Sequence, residues 1–435
     1  MNALCADCQH SLSVHADYAR PHLSTALGHG LASVTSSPRK QHSASQSLCF
    51  TEHPDLCPRH RTVETLARLL DENMVMHVRG TPASGKSTLA RLLYQFLAEK
   101  QEVILMDTWD NKMSATEYLA KECRDRGYIG VQASDILASN FVFIIDEAQQ
   151  TYVNPHLWYS VIKFQSQRQA GPRFCLFSSY GSPTIGAPDY PEATTPPVLS
   201  LSQRVSLTVS RNSDAPDICL FYNLAEYKDV LDRFCKHPAI EFTLDTDVKD
   251  YLFSLTNGHP GAISSIMVYI RNFHRSHLKQ HRISKITLKD IRDALDDDDK
   301  LFSFLEVQPA GRSLPSKTIQ RGVIDPNVVC VLLNVLRDGS VTFNNDDPGI
   351  ETCFRNGWVH TEVVEGGQVI CMFPSALHAR FVEHCYGRLD PVPFPFQKYP
   401  TLQDKSIFIA MREQKDTALD SIFETVALSR DGKEK

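Results

Sequence analysis

Gly80-Thr81-Pro82-Ala83-Ser84-Gly85-Lys86-Ser87 has the form G-x-x-x-x-G-K-S, and the apolar run Phe141 to Ile145 leads directly into Asp146-Glu147. Those residue types at those places are what the handling of a nucleoside triphosphate requires. Glycines at 80 and 85 let the backbone turn until successive N–H groups, those of Thr81, Pro82's neighbours Ala83 and Ser84, and the first turn at Lys86, Ser87 and Thr88, point inward at phosphate oxygens. Lys86 supplies a point charge along the β and γ phosphates. The Ser87 hydroxyl and the Asp146 carboxylate form an all-oxygen set suited to Mg²⁺, and Glu147 is placed to polarise an attacking water. A carboxylate immediately after the aspartate favours hydrolysis over transfer to a second substrate, because a water nucleophile needs a base there. No guanine-reading N-K-x-D follows, so ATP with Mg²⁺ is the expected ligand pair.

Elements must hold these groups in place. Val75 to Val78 is apolar and Thr88, Leu89, Leu92, Leu93, Phe96 and Leu97 recur at helical spacing, giving the strand, loop and helix in which such a motif works. A helix over Arg61 to Asp71 precedes them. Glu102 to Met106 reads as a second strand, Ser114 to Arg126 as a helix capped by Ser114, Asn154 to Gln167 as a helix, Arg173 to Phe177 as a fourth strand and Gln203 to Val209 as a fifth. Strands joined by helical crossovers predict an α/β fold: a three-layer parallel sheet of the additional-strand P-loop NTPase class. The fourth strand ends in Ser178-Ser179, where a hydroxyl could sense the γ phosphate or simply cap the strand. Arg204 could reach a γ phosphate in cis or from a neighbouring subunit, or form a structural ion pair.

The remainder divides by pattern. Residues 1–58 are rich in Ser, His and Ala without periodicity and read as disordered, with 59–211 as the nucleotide core. Cys5-x-x-Cys8, Cys49 and Cys57-x-x-His60 in and beside that segment lack the short folded spacer of a zinc site and read as incidental. From 212 to 308 the pattern is helical, a lid, with Leu224 to Cys235, Asp247 to Leu255, Ala262 to Phe273 and Thr287 to Leu295 as helices; Gly258 ends one and Pro260 starts the next. Residues 309–390 give helix, strand, helix and a hairpin around Glu365-Gly366-Gly367, the order of a winged helix, and 391–435 form a tail. The second helix of that unit offers Arg355 against Asp346, Asp347 and Glu351, so DNA binding through it is disfavoured.

The whole chain of 435 residues carries a net charge of -6 and no apolar run near the roughly 18 to 20 residues of a membrane span. Expected is an intracellular protein, cytoplasmic or nuclear, with reduced cysteines and no membrane association; a second copy of the chain or another protein is the expected macromolecular partner. The phosphate loop, Asp146-Glu147-Ala148-Gln149, Ser178-Ser179-Tyr180-Gly181-Ser182-Pro183, Gln203-Arg204-Val205-Ser206-Leu207 and Thr256-Asn257-Gly258-His259-Pro260-Gly261-Ala262 occur in one order. Together they resemble the NTPase module of the Crinkler and retrotransposon-hot-spot family, related to the STAND and AAA+ ATPases, over about residues 60 to 390. The resemblance implies an ATPase switch of core, helical lid and winged helix, in which His259 and Pro260 touch the nucleotide. Members often carry a C-terminal nuclease or kinase-like domain. Here Glu413-Gln414-Lys415 matches a nuclease E-x-K, but it falls in a stretch that reads as a helix, Leu402 to Phe423, and carries no nuclease reading.

Overall fold

The computed structural model describes residues 56–179, 199–210, 212–236, 241–280, 282–315, 325–344, 346–364 and 367–387. The expected disordered segment before 56, the Pro-rich loop, the hairpin turn at Glu365-Gly366 and the tail lie outside these residues.

Five parallel strands form the central sheet: β1 (Val75–Arg79), β2 (Val103–Met106), β3 (Val142–Ile145), β4 (Arg173–Ser178) and β5 (Arg204–Val205), in the order β2-β3-β4-β1-β5. β4 is the added strand, lying between β1 and β3 with Val75 opposite Phe174 and Phe143 opposite Phe174. Side chains alternate across a strand, so one apolar run serves two cores. Ile104, Met106, Phe143, Ile145, Phe174 and Leu176 face α3 (Ala115–Asp125) and the helix after β3. Met76, Val78, Ile144, Cys175 and Phe177 face α1 (His60–Asn73) and α2 (Lys86–Ala98). The burial of both faces makes β1 and β3 rigid rails that carry the phosphate loop and Asp146-Glu147 at their ends.

Two elements differ from the sequence expectation. The helix expected over Asn154 to Gln167 is a π-helix at His156–Ile162 that passes into a short α4 (Lys163–Gln165), because Trp158 turns inward to give its indole N–H to the Thr151 hydroxyl at 2.8 Å. The fifth strand is only two residues long. Leu201–Gln203 forms a 3-10 turn ahead of it, and the Gln203 side chain turns back to bond Ser200 N–H, closing a capping box.

The helical region comprises α5 (Leu224–Cys235), β6 (Thr243–Leu244), α6 (Thr246–Thr256), α7 (Pro260–Phe273), α8 (Arg275–Lys279), β7 (Lys285–Ile286), α9 (Leu288–Leu295) and α10 (Asp298–Leu305). A third group follows: α11 (Pro326–Asp338), β8 (Val341–Thr342), α12 (Pro348–Arg355), β9 (His360–Val363), β10 (Val369–Met372) and α13 (Ala376–Tyr386), with its strands antiparallel in the order β8-β10-β9. α13 belongs to two cores at once, since Leu377 and Phe381 pack with the lid whereas Val382 and Tyr386 pack with α11 and α12. Lid and third group are therefore mechanically joined. No helix among the described residues is long and apolar enough to cross a membrane.

Core and lid meet at a buried ion pair. Arg59, just before α1, donates to the carbonyls of Cys219, Leu220 and Phe221 and to the Glu226 carboxylate of α5 at 3.1 Å, while the Thr62 hydroxyl donates to the other Glu226 oxygen. Both side chains are almost fully enclosed. Glu226→Ala leaves the guanidinium in a dry site without its carboxylate, and is expected to destabilise the chain by about 3 kcal/mol, seen as a lower urea midpoint.

Candidate functional site

The phosphate loop leaves β1 at Gly80, whose N–H donates to Ser178 O at 3.0 Å, and enters α2 through Gly85 at φ 90°. A Cβ at Gly80 would lie 2.3 Å from Leu220 Cδ1 and 2.7 Å from Ser84 Oγ, so a side chain there would have to displace both. The N-terminus of α2 has no side-chain cap, and its first-turn N–H groups open into the loop. Thr81 Oγ1 and Ser84 Oγ are buried in the loop with no hydrogen-bond partner. Buried hydroxyls of that kind mark a place where a ligand supplies the missing acceptors.

Lys86 Nζ lies against the loop itself, donating to Gly80 O at 2.7 Å and Thr81 O at 2.9 Å. Burial brings its pKa down to about 8, with the Glu147 and Asp146 carboxylates opposing the shift and the Arg312 guanidinium adding to it. Asp146, at the end of β3, is held by its N–H to Met106 O and accepts from the Ser87 hydroxyl; burial raises its pKa. A half-dry carboxylate beside a serine hydroxyl is an oxygen-only donor pair that suits a hard divalent cation, so Ser87 and Asp146 fit Mg²⁺. No cluster of three or more His, Cys, Asp or Glu able to hold a metal occurs among the described residues, and Cys57 is buried in the lid core.

Glu147 follows in the left-handed region at φ 53°. Its Oε2 accepts from Gln149 Nε2, and Gln149 Oε1 in turn accepts the Ser179 N–H at 3.0 Å. Gln149 thus ties the glutamate to the end of β4. Of the two serines at that end, Ser178 is fully buried with its hydroxyl 2.6 Å from His77 Nε2, whereas Ser179 lines a small cavity with Gly80, Thr81, His360 and Thr361. Arg204 pairs in register with His77, three residues below Gly80, and its Nε donates to Ser200 O at 3.2 Å. The structure places its backbone well down the sheet from the loop.

The lid and the third group both touch the loop. Gly261 N–H donates to Ala83 O at 3.0 Å, and Gly85 faces the Pro260 ring, a Cβ there lying 3.3 Å from Cγ. On the other side Gly357, at φ 72°, abuts the ring of Pro82; a Cβ on Gly357 would lie 2.3 Å from Pro82 Cδ. Arg79 donates to Thr361 O at 3.3 Å and the Thr208 hydroxyl donates to Glu362 at 2.8 Å, extending the same seam. His259 is fully buried behind Pro260.

The structure therefore gathers Gly80 to Thr88, Asp146, Glu147, Ser179 and Pro260 around one loop. Gln149, Arg312 and Gly357 were not singled out by sequence. Gln149 lies within the Asp-Glu-Ala-Gln run and was visible as a polar neighbour, but Arg312 and Gly357 come from distant segments and carry no local signal.

Strand order, added strand and loop together define an α/β protein with the architecture of a P-loop NTPase. No protein-family model and no curated protein matches the chain. Among solved structures, a Walker-type ATPase of Pyrococcus abyssi is similar at 14% identity over 76% of this chain and 97% of its own, with a TM-score of 0.41. The ORC2 protein of Aeropyrum pernix in ADPNP-ADP complexes shares 13% identity over 76% and 93%, TM-score 0.38. The Holliday junction branch migration motor RuvB of Thermotoga maritima shares 13% over 76% and 94%, TM-score 0.35. The fold assignment rests on this chain's own strand order and loop.

With its pKa brought down to about 8, Lys86 is charged at pH 7 and loses its proton above pH 8. Phosphate oxygens favour the charged form, so binding a magnesium nucleotide above pH 8 takes up a proton. Affinity is expected to be flat from about pH 6.5 to 7.5 and to fall by up to about tenfold per unit above 8; calorimetry in two buffers of different ionisation enthalpy would detect the uptake.

Proposed function

We propose that the chain binds ATP with Mg²⁺ and hydrolyses it, and that nucleotide state sets the arrangement of the lid and of a winged-helix third domain around the core, as in a switch ATPase of the Crinkler and retrotransposon-hot-spot type. The observation that carries this reading is the double contact on the loop: Gly261 of the lid bonds Ala83 while Gly357 of the third domain abuts Pro82. A loop that must change to wrap phosphates cannot do so without moving against both.

The residue roles follow from position. Lys86 leaves the Gly80 and Thr81 carbonyls for the β and γ phosphates, and the N–H groups of Thr81 and of Ala83 to Thr88 receive the remaining charge. Ser87 and Asp146 would hold Mg²⁺, which when bound would neutralise charge on the phosphate oxygens. Glu147 accepts the proton of the attacking water once Gln149 lets its carboxylate go. Ser179, which lines a cavity with Gly80 and Thr81, is the hydroxyl assigned to sense the γ phosphate, and Pro260, packed on Gly85, is assigned to the nucleotide contact. Arg204 acts in this scheme only from a second copy of the chain.

A second reading is a nucleotide-gated interaction protein with negligible turnover. The bond from Gln149 to Glu147 favours it, because that bond keeps the base engaged. DNA stimulation has less support: on α12 the Arg355 side chain is paired with Glu351 at 2.8 Å.

Phosphate release with Mg-ATP, run beside Lys86→Ala and Glu147→Gln, tests the proposal. Expected is loss of binding in the first variant and, in the second, intact binding with turnover reduced about 10² to 10⁴-fold. Wild-type turnover in Glu147→Gln would remove that residue from catalysis, and saturable binding without any release would favour the gated reading. Gly357→Ala checks the coupling. The added methyl pushes the third domain off Pro82, and release of bound ADP is expected to quicken several-fold in stopped-flow displacement; an unchanged rate would make that contact passive.

A further inference from the structure

His259 is the N-cap residue of α7, with its ring enclosed between Phe221 at 4.9 Å and His378 at 5.3 Å. Its Nδ1 accepts the Ala262 N–H at 3.2 Å. Burial keeps the ring neutral, with a pKa near 3. A neutral imidazole whose Nδ1 is an acceptor carries its proton on Nε2. That Nε2 is buried and meets no acceptor in hydrogen-bonding geometry. The Pro82 carbonyl of the phosphate loop nevertheless lies close enough to act on the ring, favouring its charged form. With Nδ1 already occupied, Nε2 is the nitrogen left to face it.

Behind His259 the bonding is complete. The Ser313 hydroxyl donates to Ala310 O at 2.7 Å, so it accepts from His378 Nε2–H at 3.0 Å, and His378 Nδ1 accepts from the Ser375 hydroxyl at 2.8 Å. Ser375 is the residue that opens α13, the helix shared by the lid and the third group. The Asn257 side chain adds a bond to Pro374 O at 3.4 Å in the same place. His259 is thus backed by a fixed wall on one side and faces the loop with an unused donor on the other.

We infer that His259 is a latch between lid and loop: its Nε2–H closes on the Pro82 carbonyl when nucleotide draws the loop into its loaded form, and His378 passes that movement to α13. His259 is then a positioning residue and makes no contact with the nucleotide, unlike the role the family resemblance implies for it. Withdrawal of Lys86 from the Gly80 and Thr81 carbonyls, two residues and one residue before Pro82, is the change that frees the loop to turn. The inference rests on the nucleotide reading above.

Two variants separate capping from latching. His259→Asn keeps an oxygen that caps Ala262 N–H but cannot reach Pro82, whereas His259→Gln supplies an amide N–H at the Nε2 position. Expected is that His259→Asn melts like the wild type without nucleotide but binds Mg-ADP about tenfold more weakly, the worth of one hydrogen bond, and that His259→Gln recovers most of that affinity. Ring-¹⁵N NMR of the full chain supplies the readout that a structural role would not move. The resonance missing from His259→Asn should be an Nε2–H tautomer, and its proton should shift downfield on saturation with Mg-ADP. An Nδ1–H tautomer, an unmoved resonance in nucleotide-saturated protein, or wild-type affinity in His259→Asn overturns the latch alone. Failure of the wild type to bind Mg-ADP overturns both the latch and the nucleotide reading.

Discussion

Everything in this molecule converges on the close approach of three backbones at Pro82 and Ala83. The lid reaches Ala83 through Gly261, where a Cβ would lie 2.6 Å from Ala83 Cβ, and the third group reaches Pro82 through Gly357. Neither approach is open to a residue with a side chain. The phosphate loop is consequently a mechanical junction as well as an anion cradle, and the two roles are carried by adjacent residues.

The electrostatics are arranged to be incomplete without a ligand. Lys86 sits on two carbonyls that a polyphosphate would outcompete, because charge-assisted contacts to phosphate are stronger than bonds to neutral acceptors. Asp146 is raised by burial, a condition a divalent cation relieves, and two buried loop hydroxyls lack acceptors. Each of these tensions is released by the same occupant. By contrast, the thiols of Cys353 and Cys371, pushed up to about 12 by burial, and of Cys175, pushed up further by complete burial, are inert filling in the cores.

Much of the fold was legible because local rules and tertiary packing agree. Ser114 was readable as a cap, and it forms a capping box with Glu117; Asn223 does the same for α5 with Glu226. Burial of both faces of β1, β3 and β4 produces apolar runs that announce a covered parallel sheet. The third group's order of helix, strand, helix and hairpin was legible because Gly339 at φ 77° and the Asp325 and Asp347 caps are local signals. What was not legible depends on partners far along the chain. The π-helix brings Trp158 onto Thr151, Gln203 closes a 3-10 turn just ahead of β5, and α8 is too short to show periodicity. Within the site, Lys86, Ser87, Asp146 and Glu147 were readable from spacing. Gly357 and Arg312 belong to the site only through tertiary structure, and a histidine's tautomer is set by neighbours that spacing does not reveal.

Hydrogen exchange of the full chain, with and without saturating Mg-ATP in the Glu147→Gln background, tests the central claim most directly. The account predicts that protection changes together in the phosphate loop, in the turn around His259 to Gly261 and in the segment from Phe354 to Thr361, because all three meet at one junction. Protection confined to the phosphate loop, with the other two segments unmoved while nucleotide is bound, would contradict it.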